Sequence, residues 1–226
     1  METFVVRLWL PDRPGALGQV ASRIGAVRGE IVGIEILERG GGRAIDELVV
    51  DLPHGSLHEL LVQEIQQVDG VDVEEVRPVA DALHDPRLDA LETAAMLVGA
   101  TDRAELVQAV VDHARRAVGA EWSAVVRLED GDVLAQEGAA PPAAWLAAFV
   151  EGSRSSARVA SGLTGPDDVV WSPLPSMGLA LVVGRQGTAY RARERRQISA
   201  FARIVDTRLR EITRYEALAR HPSVIR

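Results

Sequence analysis

One short stretch near the N-terminus has residues that could bind both ends of a small zwitterion. The amides of Gly15, Ala16 and Leu17 would be unpaired donors if a helix begins here, and such donors suit a carboxylate. Pro14 sets φ for a first helical turn and has no N–H, while Gly15 lets a ligand approach the backbone closely. Asp12 can accept an ammonium group. The full stretch is Asp12-Arg13-Pro14-Gly15-Ala16-Leu17.

The same residues also have a purely structural interpretation. Asp12 could cap the helix with its carboxylate, and the stretch would then be an ordinary turn between a strand and a helix. The sequence leaves both interpretations open.

Other residue types that support chemistry are missing or badly placed. The chain has no cysteine, and all 25 of its basic residues are arginine, which excludes thiolate chemistry, disulfides, Schiff bases and a P-loop lysine. His54 and His58 are four residues apart, but His54 precedes the predicted helix, so a metal site is not expected. Glu74 and Glu75 diverge along a strand and form no acid–base pair. We therefore expect no catalytic residue, no metal and no cofactor.

Composition narrows the class of protein further. The chain has 226 residues, is 47% hydrophobic and 26% charged, and has a net charge of −8, which is typical of a globular protein. No apolar run reaches the length of a membrane span, and the first residues lack a secretory signal. An acidic chain is a poor partner for phosphate backbones. We expect a cytoplasmic protein that binds neither nucleic acid nor membrane.

The stretch lies within a regular alternation of strands and helices. Apolar residues follow a period of two in the strands and a helical period between them. Ser56 is placed to cap the second helix, and Gly40, Gly41 and Gly42 form a turn. The predicted elements are strands at residues 4–10, 31–37, 45–52 and 71–76, with helices at 17–28 and 57–68. This order predicts a ferredoxin-like βαββαβ module.

Residues 4–79 resemble an ACT domain, both in this element order and in the spacing of Asp12, Pro14 and Gly15. The resemblance implies a regulatory domain that binds a free amino acid at a dimer interface, without catalysis. It also implies that the start of the second strand, here Glu30 and Ile31, faces the ligand from the other copy. That strand lies at an edge of the sheet and is apolar, so we expect two copies to pair along it.

The second half has a different pattern, with two helices, a central set of strands and a long final helix. Residues 83–216 resemble a GAF domain in element order and in two stretches, Trp171-Ser172-Pro173-Leu174 and Gly178-Leu179-Ala180-Leu181-Val182-Val183-Gly184. The segment between the two predicted hairpins is short for that family, which leaves open whether a ligand pocket is present.

Two helical seams in this half could serve dimerisation. Apolar residues at 3–4–3 spacing mark the first helix, and a heptad marks the last. We expect a helical bundle at a dimer axis, although the last helix could instead serve only its own core. The basic run before that helix is interpreted as a solvated first turn. The residues are Leu88, Leu91, Ala95 and Val98; Ile198, Val205 and Ile212; and Arg191, Arg193, Arg195 and Arg196.

Together these observations predict an α+β protein with two domains. Residues 1–79 form an ACT-like amino-acid-binding domain, and residues 80–226 form a GAF-like antiparallel sheet with flanking helices. The predicted function is a homodimeric, non-enzymatic regulatory sensor in which a bound amino acid changes the relation between modules. The alternative is a dimerising scaffold that has no ligand and docks a partner protein.

Overall fold

The computed structural model describes residues 1–79, 86–155 and 166–220. The chain divides into two compact units, Met1–His84 and Asp85–Arg226. Each contains a four-stranded antiparallel sheet with helices, so the predicted α+β class is confirmed. Residues 80–85 of the expected linker lie outside the described residues.

The N-terminal unit is a ferredoxin-like sandwich of one sheet and two helices. Its sheet order is β2-β3-β1-β4, which confirms β2 as an edge strand. The two helices pack on one face of this sheet. The elements are β1 (Glu2–Pro11), α1 (Ala16–Ala26), β2 (Glu30–Gly40), β3 (Arg43–Leu52), α2 (His58–Gln66) and β4 (Asp72–Val79).

Alternation along β1 and β3 builds the core between the sheet and the helices. Every second residue points to the helices, where α1 contributes Val20 and Ile24 and α2 contributes Leu61 and Ile65. All four side chains are fully buried. The strand residues of this core are Phe4, Val6, Leu8, Leu10, Ala44, Leu48, Val50 and Leu52.

The predicted cap of the second helix is wrong. Gly55–Leu57 form a single 3-10 turn before α2, and no side chain caps either helix. Leu57, not Ser56, occupies the position before α2. The expected glycine hairpin is present: Gly41 and Gly42 both have positive φ, as a two-residue turn between twisted strands requires.

The C-terminal unit is built around a second antiparallel sheet with the order β6-β5-β8-β7. One face carries α4 and α6 in a large apolar core, and α5 packs on the other face. The elements are α3 (Pro86–Gly99), α4 (Arg103–Ala117), β5 (Trp122–Arg127), β6 (Val133–Gly138), α5 (Ala143–Arg154), β7 (Val169–Leu174), β8 (Leu179–Gly184) and α6 (Ala192–Arg220).

Helix α4 begins with a reciprocal cap. The Asp102 carboxylate accepts a hydrogen bond from the Glu105 amide at 2.9 Å, and the Glu105 carboxylate accepts one from the Thr101 amide at 2.9 Å. This capping box uses two amides that a helix start would otherwise leave unpaired.

The two predicted helical seams differ in their burial. The heptad on α6 is buried in the core of its own unit, through Ile198, Val205 and Ile212. The expectation that this heptad also joins a dimer bundle is therefore wrong, because the residues are already covered. On α3, by contrast, Leu97 packs inward while the predicted seam faces solvent, with Leu91 68% exposed.

The basic run at the start of α6 is solvated only in part, since Arg196 is exposed but Arg195 is not. Arg195 is buried and donates to the carbonyl oxygens of Val169 at 3.3 Å and Pro166 at 2.6 Å. The carboxylate of Glu194 accepts from the Arg191 amide at 2.7 Å and pairs with Arg185 at 2.8 Å. Because these charges are used internally, this region attaches the start of α6 to the sheet.

Candidate functional site

The loop between β1 and α1 presents an open helix start. Gly15 is the residue before α1 and has a left-handed conformation, with φ of +87°. A side chain built at Gly15 would meet no atom within 4 Å, so the loop faces open space. The prediction for Pro14 is wrong in detail: α1 begins at Ala16, and Pro14 lies in the turn before it.

Two of the three predicted amide donors are available. The Ala16 amide donates to the Arg13 carbonyl at 3.3 Å, so Ala16 is not an unpaired donor as predicted. The amides of Gly15 and Leu17 have no hydrogen-bond acceptor among the described residues, and no side chain caps α1. Two backbone donors at the positive end of a helix dipole can bind one carboxylate.

Asp12 lies beside these donors and is exposed. Its backbone amide donates to the Gly42 carbonyl at 2.9 Å, which fixes the loop against the start of β3. Its carboxylate has no hydrogen-bond partner in the described part of the chain. The interpretation of Asp12 as a helix cap is therefore wrong, since its carboxylate bonds no amide of α1. Arg13 is also exposed and only reaches the Gln19 side chain, at 3.5 Å.

Asp46 is a site residue that the sequence analysis missed. It lies on β3 between the core residues Ala44 and Leu48, and so points toward the helices. It is only 4% exposed, and its Oδ1 has no hydrogen-bond partner among the described residues. An unpaired buried oxygen of this kind opposes folding.

Asp46 lies on the helix face of the sheet, toward the end of β3 that is joined to the Asp12 loop. The Asp12 loop is bonded to Gly42, at the start of β3. At the other end, Ile24 of α1 and Leu52 of β3 both pack beside Gly29. Helix α1 therefore runs along β3 in the same direction. Asp46 therefore lies toward the end of the sheet at which α1 begins, and Asp12 in the preceding loop is close enough to raise its pKa.

Burial raises the pKa of Asp46 above its ordinary value of 3.8, Arg39 on β2 lowers it, and Asp12 raises it. The folded chain thus holds this proton more tightly than the unfolded chain. The cost of ionising Asp46 is present above the raised pKa and is lost as the pH falls through it.

Asp46→Asn should raise the free energy of unfolding at neutral pH by about 1–3 kcal/mol, because it removes a buried unpaired charge but keeps the side-chain shape. The gain should shrink as the pH falls toward 4. Urea unfolding of the full chain at several pH values measures both effects. A destabilised variant at pH 7 would show instead that the ionised carboxylate is needed for folding.

Glu30 and Ile31 are not brought to this loop within one chain. They lie at the start of β2, opposite Asp51 and Val50 of β3, whereas the Asp12 loop lies at the other end of the sheet. Glu30 is exposed and Ile31 packs partly against the core.

In the C-terminal unit, a cleft of about 400 Å³ lies between β7 and α6. Among its lining residues, Asp206 pairs with Arg210 at 3.3 Å and accepts from the Ser176 amide at 2.8 Å, whereas the buried Ser199 hydroxyl has no hydrogen-bond partner among the described residues. On the other face of the sheet, Trp122, Trp171 and Leu146 fill the space under α5.

Residues 1–79, 86–155 and 166–220 contain neither a cluster of metal ligands nor a helix that could span a membrane. No three metal-ligating side chains come together in those ranges. No described helix combines the length and the hydropathy needed to cross a membrane.

The sequence matches no family model and no curated protein. Solved structures with a similar course of the chain include ACT and GAF domains. The ACT domain from GTP pyrophosphokinase of Chlorobium tepidum is 18% identical, with 35% of this chain and 100% of that chain covered and a TM-score of 0.29.

Two other structures are similar at the same level. A GAF domain from a Pseudomonas syringae pv. tomato protein described as a sensor histidine kinase is 16% identical, covering 60% of this chain and 92% of that one, with a TM-score of 0.40. The regulatory subunit of aspartate kinase from Thermus thermophilus is 14% identical, covering 42% and 70%, with a TM-score of 0.31. At these identities and TM-scores the similarity says nothing about a ligand, a partner or an activity.

Proposed function

We propose that this chain is a non-enzymatic regulatory sensor that binds a free amino acid at the start of α1, between two copies paired along β2. The observation that carries the proposal is the uncapped helix start, where the free amides of Gly15 and Leu17 adjoin the unpaired carboxylate of Asp12. Donors and an acceptor side by side match the two charged groups of an amino acid.

The two edges of the N-terminal sheet support pairing through β2 in particular. The other edge strand, β4, carries Glu74, Glu75 and Pro78, which are residues that discourage pairing. On β2, Val32 is 48%, Ile34 49% and Ile36 40% exposed. An edge with exposed apolar side chains and unpaired backbone groups favours a second strand.

Pairing of two β2 strands also accounts for the separation of the predicted site residues. If the two edge strands run antiparallel about a two-fold axis, the start of one β2 lies beside the end of the other. Glu30 and Ile31 of one copy then approach the Asp12 loop of the second. The site is complete only in the dimer.

Millimolar concentrations of the right amino acid should raise the melting temperature of the full chain, because a ligand that binds only the folded state stabilises it. At a concentration of about 100 times Kd the gain in free energy is about 2.7 kcal/mol. Screening the standard amino acids one by one by thermal shift measures this. A screen with no shift contradicts the proposal.

Asp12→Ala separates binding from folding. The Asp12 carboxylate bonds nothing among the described residues, so the variant should melt at the same temperature as the wild type when free. The shift caused by the amino acid should decrease, because one charged group at the rim is lost. Equal shifts in both proteins would show that Asp12 takes no part in binding.

Ile34→Lys should convert a dimer to a monomer at micromolar concentration, since the substitution places a charge in the centre of the apolar β2 edge. Sedimentation velocity measures the change. The fold should survive because Ile34 is half exposed in a single copy.

Leu91→Lys on α3 is the matched control, since it places the same charge on the other exposed apolar surface. If Leu91→Lys produces the monomer and Ile34→Lys does not, the copies pair through α3 and the β2 arrangement is wrong.

The exposed seam on α3 favours a second candidate function. Leu88, Leu91, Ala95 and Val98 form an apolar stripe that faces solvent on a helix whose Leu97 side is already packed. A scaffold that docks another helix would use such a stripe. A chain that shows no thermal shift with amino acids but loses a bound partner on Leu91→Lys would be this scaffold.

A further inference from the structure

Asp46 is a buried carboxylate whose Oδ1 no described residue of the single chain satisfies. Nearly all of its surface is covered. Buried polar groups in folded proteins are nearly always hydrogen-bonded, so an exception needs an explanation. A ligand that supplies the missing donor is one such explanation.

The surroundings of Asp46 define the group that would fit. Its register partners on the neighbouring strands, Leu8 and Ile36, are apolar and offer no donor from their side chains. Arg39 on β2 and Asp12 are the charged side chains that act on Asp46, and a carboxylate at this depth attracts a cation more strongly than one in water because its charge is less screened. The matching group is an ammonium, which has three N–H donors.

Asp46 lies one strand in from the exposed edge of the sheet. Ile36 lies directly opposite Asp46 on β2 and is 40% exposed. The free amides of Gly15 and Leu17 lie at the start of α1, a helix that packs on the face of the sheet to which Asp46 points. A molecule entering along β2 therefore meets backbone donors and the carboxylate at the same end of the unit.

We propose that Asp46 is the anchor for the ammonium group of the ligand, and that the site takes molecules with a primary ammonium next to a carboxylate. This inference rests on the proposed function and deepens it. Asp12, at the exposed rim, contributes attraction, whereas Asp46 provides the direct bond. The raised pKa of Asp46 supports this assignment, because an arriving ammonium removes the cost of ionisation.

Asp46→Asn in the full chain tests the anchor, with isothermal titration calorimetry as the measurement. Asparagine keeps the shape but cannot balance a positive charge. The probes are the standard amino acids, the 2-hydroxy acid of each carbon skeleton, which lacks the ammonium, and the amine of each skeleton, which lacks the carboxylate. We expect the amino acid to bind the variant about ten- to a hundredfold more weakly, and the 2-hydroxy acid to bind both proteins equally.

Asp51→Asn is the matched control, because Asp51 lies on the same strand but on the other face of the sheet, where its Oδ1 accepts from the Thr3 hydroxyl at 2.6 Å. This variant should bind the amino acid like the wild type. Hydrogen exchange of the free Asp46→Asn chain, unchanged or slower than in the wild type, excludes unfolding as the cause of lost binding.

The probes distinguish failure of the anchor from failure of the proposed function. Amino-acid binding that is equal in the wild type and Asp46→Asn overturns the anchor and leaves the proposed function standing. Amines that bind the wild type as tightly as the amino acids do, and fail on Asp46→Asn, support the anchor and overturn carboxylate recognition by α1. If no probe binds the wild type, both are overturned.

Discussion

Glu194→Gln should destabilise the C-terminal unit by about 3–5 kcal/mol, because it leaves the buried Arg185 charge without a counter-ion. Arg185 and Glu194 lie 2.8 Å apart and are 8% and 7% exposed. A loss of this size is a large part of the stability of most domains.

The guanidinium of Arg185 is held on every side, so it cannot move to water when Glu194 loses its charge. Its nitrogens donate to the carbonyl oxygens of Val118 at 2.8 Å, Thr188 at 2.8 Å and Ala189 at 2.9 Å. It also stacks over the ring of Tyr190, at 4.0 Å from its centroid. These contacts join the ends of α4 and β8 to the start of α6, and the variant weakens all of them together.

Urea unfolding, followed by hydrogen exchange of peptides from each unit, measures the loss and locates it. Glu151→Gln is the matched control, since Glu151 pairs with Arg154 at 3.2 Å on an exposed helix surface and such pairs contribute little. A loss below about 1 kcal/mol for Glu194→Gln would mean that water reaches the pair. The thermal shift with amino acids should persist in both variants.

Much of the fold follows from local patterns in the sequence. The period of two in β1 and β3 identifies the face that packs against the helices, because one register shift would expose every core side chain. The glycines at 40–42 and the Thr101-Asp102 cap mark element ends through backbone chemistry that involves only neighbours. Such features need no knowledge of distant residues.

The candidate site is harder to predict from local sequence patterns than the fold. The alternation of Leu48, Val50 and Leu52, continued two residues toward the N-terminus, places Asp46 on the inner face, and this is the signal that could have found it. Whether Asp46 has a hydrogen-bond partner depends on which side chains of the neighbouring strands lie opposite it. A local sequence pattern does not predict those side chains. The left-handed conformation of Gly15 also cannot be predicted from the sequence, because glycine adopts many backbone conformations.

Apolar and charged patterns in the second half of the sequence also do not reveal which residues become buried. The stripe on α3 and the heptad on α6 look alike as sequence, but only the heptad meets its own core. Arg195 looks like one of four surface arginines until two distant carbonyl groups, those of Pro166 and Val169, are seen to surround it. A pattern identifies a face or a charge, and the tertiary fold decides what covers it.

Trp122→Ala should destabilise the C-terminal unit by about 3–5 kcal/mol, the usual cost of emptying the space of a large buried aromatic side chain. Trp122 is central to the apolar cluster beneath α5, and its ring meets that of Trp145 edge-on at 6.3 Å. The tryptophan fills the sheet face on which a ligand of the second unit could otherwise lie.

Gly184 explains how the ring fits there. It lies opposite Trp122 on β8, and a Cβ at this position would come within 2.8 Å of the ring Nε1 and closer still to two ring carbons. Gly184→Ala alone should therefore destabilise the unit by about 1–3 kcal/mol through overpacking. In the Trp122→Ala background the same change should cost almost nothing, because the ring that it would meet is gone.

Urea unfolding of the two single variants and the double variant measures this coupling as a double-mutant cycle. The coupling free energy should be nearly as large as the destabilisation that Gly184→Ala causes in the wild-type background. Additive losses would mean that the ring moves aside freely, so that the face under α5 is adaptable and could admit a ligand. Strong coupling would mean that Trp122 and Gly184 form a rigid, filled face beneath α5.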